Sequence, residues 1–398
     1  MINGLRYCQR CCMPETTEGI EFDETGICRA CNSSEQKMHI NWQARRKDLE
    51  LILENARKEA IKNKSPYDCI VPISGGKDSA YQLHILTKVY NLKVLAVTFS
   101  HNWYSEIGWY NLLNCLEQFE VDHMMFTPSR KTVNLAAKNS LSAIGDVCWH
   151  CHSGVGSYPL HIATKFNIPL MIWGESIAEN SGRASHFEPV RKFDRDYFLK
   201  ISAKVPPNKF AKNEEELRAF QVFEPPSAKE CEDVGLYGIH LGDYIFWDEE
   251  KQTEFIRDTY EWLEDDMEGT YKGYKSAECS MAGLHDFTNY LKRGYGRSTF
   301  HASMDIRNGL LDRSEAFELA EKYDEIEPSV LQYYLQITGL SKDEFYDVID
   351  KKRLKQLDGK EVSVVSKKYK KIKKPFVMEF IENVREKVKK RNARMENK

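Results

Sequence analysis

Short apolar runs at residues 69–73, 94–99, 123–126 and 170–173 alternate with helix-length stretches at 78–90, 106–119, 129–142 and 154–166. Strand and helix repeated in this order predict a parallel sheet covered on both faces, because each return to the same strand direction needs a crossover long enough to hold a helix. The first crossover opens on Ser74-Gly75-Gly76-Lys77-Asp78-Ser79. Glycines there permit positive φ and let backbone N–H groups approach an anion, and the helix that follows adds the positive end of its dipole. Ser74 and Ser79 offer hydroxyls, Lys77 a positive charge, and Asp78 a helix cap or a carboxylate for a magnesium ion. A Walker loop would need four residues between its first Gly and Gly-Lys, then Ser or Thr after the lysine; Asp78 stands in that place. Pro72, lacking a ladder donor, is expected where the first strand ends.

Eleven cysteines fit metal or catalytic chemistry better than disulfides if the chain works in the reducing cytoplasm, the compartment expected from the absence of a signal peptide or a membrane-length apolar stretch. Cys8-Gln9-Arg10-Cys11 and Cys28-Arg29-Ala30-Cys31 have the spacing of a four-thiolate zinc site, closed and therefore structural. Cys12 reads as a bystander. Cys148-Trp149-His150-Cys151-His152 leaves three readings open: inert core thiols, a sulfur-transferring pair, or, with Cys231 or Cys279, ligands of a metal or iron-sulfur cluster.

The first 39 residues lack a helical period and read as a small metal-stapled module. A charged helix follows over residues 41–64, with Trp42, Leu49, Leu51, Ile52, Ala56 and Ile61 as its expected buried positions. Residues 181–226 are polar, with two Pro-Pro pairs, and read as an irregular insertion or mobile lid. The rest reads as helical, and three units result: 1–39, 40–235 and 236–398. The net charge of −3 hides an asymmetry: residues 351–398 hold 18 Lys and Arg against 6 Asp and Glu, an excess of 12 that leaves about −15 for the remainder. Such a tail suits a solvated helix as well as an anionic partner.

The hexapeptide resembles the SGGxDS motif of the PP-loop ATP pyrophosphatases, which split ATP between the α and β phosphates. That resemblance implies an α/β fold with a parallel-sheet, adenine nucleotide α-hydrolase-like domain, flanked here by the N-terminal zinc ribbon and a mainly helical C-terminal region. It implies ATP, Mg2+ and Zn2+ as cofactors, with ATP held by Ser74, Gly75, Gly76, Lys77, Asp78, Ser79, Thr98 and Gly174, and Lys77 and Asp78 as catalytic residues. PP-loop thiolation enzymes with three-cysteine clusters give the iron-sulfur reading of Cys148, Cys151 and Cys279 by analogy.

Together with Cys8, Cys11, Cys28 and Cys31, the Gly174-Glu175-Ser176 turn and Gly294-Tyr295-Gly296-Arg297 followed by His301 to Gly309, the loop makes the chain similar to the N-acetyl sugar amidotransferase family. This is the WbpG and PseA type of surface-polysaccharide, lipopolysaccharide and pseudaminic acid biosynthesis. Ser176 departs from the Asn of the family's Gly-Glu-Asn turn. The resemblance implies conversion of a sugar acetamido group to acetamidino through an adenylated amide. Ammonia would come from a separate glutaminase, since neither an exposed N-terminal cysteine nor a Gly-x-Cys-x-Gly elbow is expected here. Arg293, Arg297, His301, Asp305 and Arg307 are candidates for sugar or anion contacts, or for plain surface ion pairs. Two rivals remain: a tRNA thiolation enzyme using Cys148 or Cys151, although a nucleic-acid partner is not the expectation, and a non-catalytic zinc-ribbon interaction protein.

Overall fold

The computed structural model describes residues 2–180, 185–202, 205–369 and 372–396. Five strands, β1 (Cys69–Pro72), β2 (Val94–Phe99), β3 (Asp122–Phe126), β4 (Leu170–Trp173) and β5 (Tyr237–His240), form one sheet in the order β3-β2-β1-β4-β5. All its pairings are parallel, with Cys69 opposite Val94 and Ile70 opposite Met171. The period of two is visible in the packing. Cys69, Val71, Val94, Ala96, Leu170 and Ile172 face one apolar layer, while Ile70, Leu95, Val97 and Met171 face the other. Pro72 is the last residue of β1, where its missing N–H costs no ladder bond. The fifth strand begins past residue 235, so the sheet crosses the boundary expected there.

Helices α2 (Trp42–Lys62), α3 (Lys77–Leu83), α4 (Glu106–Phe119), α5 (Arg130–Ile144) and α6 (Trp149–Lys165) lie close to the expected stretches. Asn41, Ser105 and Ser129 cap α2, α4 and α5 through side-chain oxygens. On α2 the buried stripe is Arg45, Leu49, Leu53, Ala56 and Ala60, whereas Leu51 and Ile61 are exposed. The expected set mixed two faces; the true stripe steps by three and four residues from Leu49.

Strand order reverses between β1 and β4, so the loops after these two strands open a crevice at the carboxyl edge of the sheet. The N-terminal module is more ordered than expected. Cys28 starts α1 (Arg29–Lys37), and Arg313 donates to the carbonyls of Cys8 and Cys11, tying the module to the C-terminal helices. Residues 185–226 are not an irregular lid. Phe210, Phe220 and Phe223 pack on Trp149 and Phe99, and Phe193 forms a bridge with Gly238; residues 181–184 and 203–204 of that expectation lie outside the described residues. Among the described residues no helix is long and apolar enough to cross a membrane.

Candidate functional site

The glycine turn is locked by its neighbours. Gly75 has φ +84°, and a Cβ there would lie 2.7 Å from Leu112 N and 2.8 Å from Gly108 O. Only glycine fits against α4 in that conformation. Gly108 in turn sits on the backbone of Glu278, 2.5 Å from where a Cβ would fall. Ser79 Oγ donates to Gly76 O at 2.8 Å, Ser74 Oγ accepts from Gly76 N at 3.3 Å, and Trp262 Nε1 donates to Gly75 O at 2.9 Å. Gly76 is the N-cap of α3, so the free N–H groups of the first turn open at the loop.

Lys77 is buried, with its ammonium 2.6 Å from Asp78 and 3.4 Å from Glu249. Burial works against the charged form, but Asp78, Glu249 and Glu175 outweigh it and hold Lys77 protonated. Glu175 and Glu249 face one another. Burial and the neighbouring Glu249 push Glu175 up, while Lys275, Lys77 and a hydrogen bond from Glu175 overcome the burial of Glu249 and pull it down. One proton therefore sits on Glu175 and is shared toward Glu249. The Gly174-Glu175-Ser176 turn is fastened by Gly242 N to Gly174 O at 2.8 Å and by Ser176 Oγ to Asp243. Glu278 Oε2 is buried, lacks a hydrogen-bond partner and lies 3.3 Å from the place a Gly76 Cβ would occupy. Burial raises its pKa, and the negative charge of Asp78 adds to that effect. Thr98 points elsewhere: its hydroxyl donates to Ile73 O at 2.9 Å and accepts from His123 Nε2 at 2.9 Å, bracing the strand that leads into the loop.

Lys275 ion-pairs with Glu249, and Lys275 also lines a cavity of about 710 Å³. The Lys77–Glu249–Lys275 relay thus joins the loop to a compartment whose walls include Asp146, His152, His285, Arg297 and His301. Arg297 pairs with Asp286 and donates to Lys275 O at 3.3 Å; His301 shares a 2.8 Å hydrogen bond with Thr270 and is kept neutral by burial and by Lys275. Both sit on the Arg297–Arg307 helix, whose first turn is capped by Asp324 through N–H bonds of 2.8 Å from Gly296 and Ser298. Arg293 lines the same cavity, beside Glu18. Arg307 does not join them. It lines a small cavity beneath the cysteine module, and Asp305 is engaged by Lys272 and Tyr271. Asp146 is held ionised because hydrogen bonding and charge from His285 overcome its burial, and the same contact raises His285 against the opposing effect of burial.

The four N-terminal thiols fit a metal. Cys8 and Cys31 sulfurs are 3.9 Å apart and Cys11 and Cys28 sulfurs 3.8 Å, and all four lie within 4.8 Å of one another. Zinc–sulfur bonds of about 2.3 Å at tetrahedral angles require an edge of about 3.8 Å. The backbone N–H groups of Arg10, Cys11 and Cys28 point at Cys8 Sγ, which favours a thiolate. Cys12 stays outside, bonded to Thr299 O and Ser303, its thiol pushed up to about 12 by burial.

Cys148, Cys151 and Cys279 come near enough to oppose one another's ionisation, with Cys279 Sγ 3.9 Å from His101 Nδ1. Burial is the first cause of their raised pKa values, Cys279 reaching about 12. As protonated thiols they are poor nucleophiles. They do not form a mutually close group like the N-terminal four, and Cys231 belongs to a different place, on the Ala228–Asp233 helix beside Arg195.

Sequence reasoning missed Glu249, Lys275, Glu278 and Trp262 altogether. Each reaches the site from a helix or connection distant in sequence, and none carries a local motif; Glu175 at least lay inside the Gly174-Glu175-Ser176 turn.

Residues 268–374 match the model of the LPS biosynthesis protein WbpG-like, C-terminal domain. An uncharacterized protein of Methanocaldococcus jannaschii is 32% identical over 111 residues, which are 28% of this chain and 38% of that relative. NMN synthetase from Francisella tularensis aligns over 53% of this chain and 86% of its own at 17% identity and a TM-score of 0.26. The U34-tRNA thiolase NcsA from Methanococcus maripaludis, solved with its [4Fe-4S] cluster, aligns over 85% of this chain and 98% of its own at 11% identity and a TM-score of 0.28. At such TM-scores neither structural likeness bears on chemistry. The matched segment, about a quarter of the chain, supplies Lys275, His285, Arg297 and His301 to the wall of the cavity.

Proposed function

We propose that the chain uses ATP to convert an acetamido group of a sugar, nucleotide-linked or a nonulosonic acid, into an acetamidino group. The observation that carries this reading is the ion-pair relay joining the glycine turn to a large cavity partly lined by the segment that matches the WbpG-like C-terminal domain. An amide is a poor electrophile. Transfer of AMP from ATP to the amide oxygen, with pyrophosphate leaving, makes that oxygen a leaving group; ammonia then attacks the carbon and AMP departs. Lys77 would stabilise charge on the phosphates, and the N–H groups of the first turn of α3 would hold the pyrophosphate end. Magnesium, when bound, would neutralise the triphosphate, and Asp78 and Glu278 are the carboxylates to hold it. Arg297, already paired with Asp286, is poised to fork onto a carboxylate or phosphate of the acceptor. His301, neutral, can exchange a proton with the attacking ammonia or a sugar hydroxyl. The ammonia would be made by a separate glutaminase, and the reaction would take place in the cytoplasm.

The test is incubation with Mg-ATP, ammonium and a panel of acetamido sugars, following AMP together with the mass change of oxygen replaced by NH. Both signals with one sugar, lost together in Lys77→Ala, support the reading. Sulfur gained by unmodified tRNA with no sugar altered would replace it by thiolation centred on Cys148 and Cys151.

A further inference from the structure

One cluster of ligating side chains is used neither by the loop nor by the cysteine module. Asp146 lies just ahead of α6, His152 follows in its first turns, and His285 comes from the Ala282–Arg293 helix. Their carboxylate and imidazole atoms all lie within 4.8 Å of one another, and His285 Nδ1 is 3.3 Å from Asp146 Oδ1. Two donors bound to one ion by bonds of about 2.0–2.1 Å at tetrahedral angles stand about 3.3–3.4 Å apart, so this pair already has the spacing of neighbouring ligands.

The surroundings hold the donors in place. Asp146 Oδ1 accepts the Cys148 N–H at 2.7 Å, which fixes the carboxylate. The Asn289 amide lies 3.3 Å from His285 Nε2, and with its oxygen turned inward it would accept a proton there and leave Nδ1 as the ligating nitrogen. All three residues line the 710 Å³ cavity. Two imidazoles and one carboxylate suit a divalent transition metal better than magnesium or calcium, which prefer oxygen donors, and three protein ligands leave positions open.

We propose that Asp146, His152 and His285 bind one divalent transition-metal ion whose open positions face the cavity. On the amidotransferase reading, an oxygen or nitrogen of the acceptor would occupy one of those positions; binding of the ion itself does not depend on that reading.

The full chain, its four-thiolate site filled with one equivalent of zinc, is titrated with Co2+ and followed by visible absorption and by metal analysis. One further equivalent is expected, showing ligand-field bands without thiolate charge transfer. His285→Asn and His152→Ala should each weaken that equivalent at least tenfold while the first zinc and the far-ultraviolet circular dichroism stay unchanged; His152 is exposed, so its replacement leaves the core intact. Absence of a second equivalent, an unchanged affinity in both variants, or thiolate charge transfer in its spectrum overturns the proposal. Since ions are counted rather than turnover, failure here leaves the amidotransferase reading standing, and an inactive panel of sugars leaves the ion standing.

Discussion

Seven cysteines of this chain lie in two regions and have different fates. Cys8, Cys11, Cys28 and Cys31 stand at tetrahedral spacing with three backbone N–H groups aimed at one sulfur. Cys148 is buried and Cys151 and Cys279 are half-buried, all beside acidic neighbours that disfavour the thiolate, among them Asp146 and Glu278. The chemistry of a thiol is thus set by what surrounds it. In the first set those surroundings come from the knuckles on either side of each Cys-x-x-Cys; in the second they come from helices far apart in sequence.

The largest effect separating the two should come from Cys28→Ser. Structural zinc in small modules carries an apparent binding free energy of about 10–16 kcal/mol, so losing one ligand should release the metal and unfold residues 2–39. Metal analysis and hydrogen exchange would check it; retention of zinc with normal protection would mean that the C-terminal helices, through Arg313, hold the module without it.

Lys77→Ala extends the contrast to the nucleotide loop. Removing a preorganised positive charge from developing phosphate charge should lower kcat by about 10²–10³-fold, roughly 3–4 kcal/mol. A drop below tenfold in AMP release would assign the charge stabilisation elsewhere. Gly75→Ala should destabilise the fold by on the order of 3 kcal/mol, because φ +84° is strained for alanine and its Cβ overlaps α4. Urea unfolding measures this, and a change within 0.5 kcal/mol, about the scale of a surface substitution, would show that the loop is free to move.

Acid should report on the buried histidines around the second thiol set. Burial lowers His101 to about 4 and His150 to about 3, so in the native state both stay neutral while the unfolded chain takes up protons near its ordinary pKa of about 6.5. Their contribution is present above pH ~6.5 and is lost as pH falls toward those lowered values, at up to about 1.4 kcal/mol per pH unit for each group. His150→Phe, in a pocket formed with Trp103 and Phe223, should make the acid side of the stability profile shallower by that amount. An unchanged slope in denaturant midpoints between pH 4 and pH 6.5 would place the proton elsewhere. The smallest effect is expected from Cys151→Ser: as an inert thiol its loss should change AMP release less than twofold, an outcome within about 0.4 kcal/mol of no effect. A hundredfold loss would make the second set catalytic and erase the contrast.

Much of this was legible in the chain itself. Apolar runs of strand length and their helical spacers gave four strands and their crossovers to within a few residues, because burial on both faces of a parallel sheet leaves a continuous apolar signature. Cysteine spacing gave the N-terminal site, and two glycines before a helix gave the loop. The fifth strand escaped, since Tyr237-Gly238-Ile239-His240 has no apolar run and is recruited by Leu170–Trp173 alongside it. Residues 185–226 looked like a lid because their prolines and charges outnumber their aromatics; three phenylalanines spaced along them were enough to dock the segment on Trp149.

The division follows from range. What depends on neighbours a few residues away, the turn, the caps and the Cys-x-x-Cys knuckles, was determined by the sequence alone. The Lys77–Glu249–Lys275 relay, the exclusion of Arg307 from the cavity and the meeting of Asp146, His152 and His285 were decided only by the tertiary structure. Ion pairs and metal-spaced donors demand positions accurate to tenths of an ångström, and such accuracy between segments a hundred or more residues apart arises only when the packed core fixes their helices against one another.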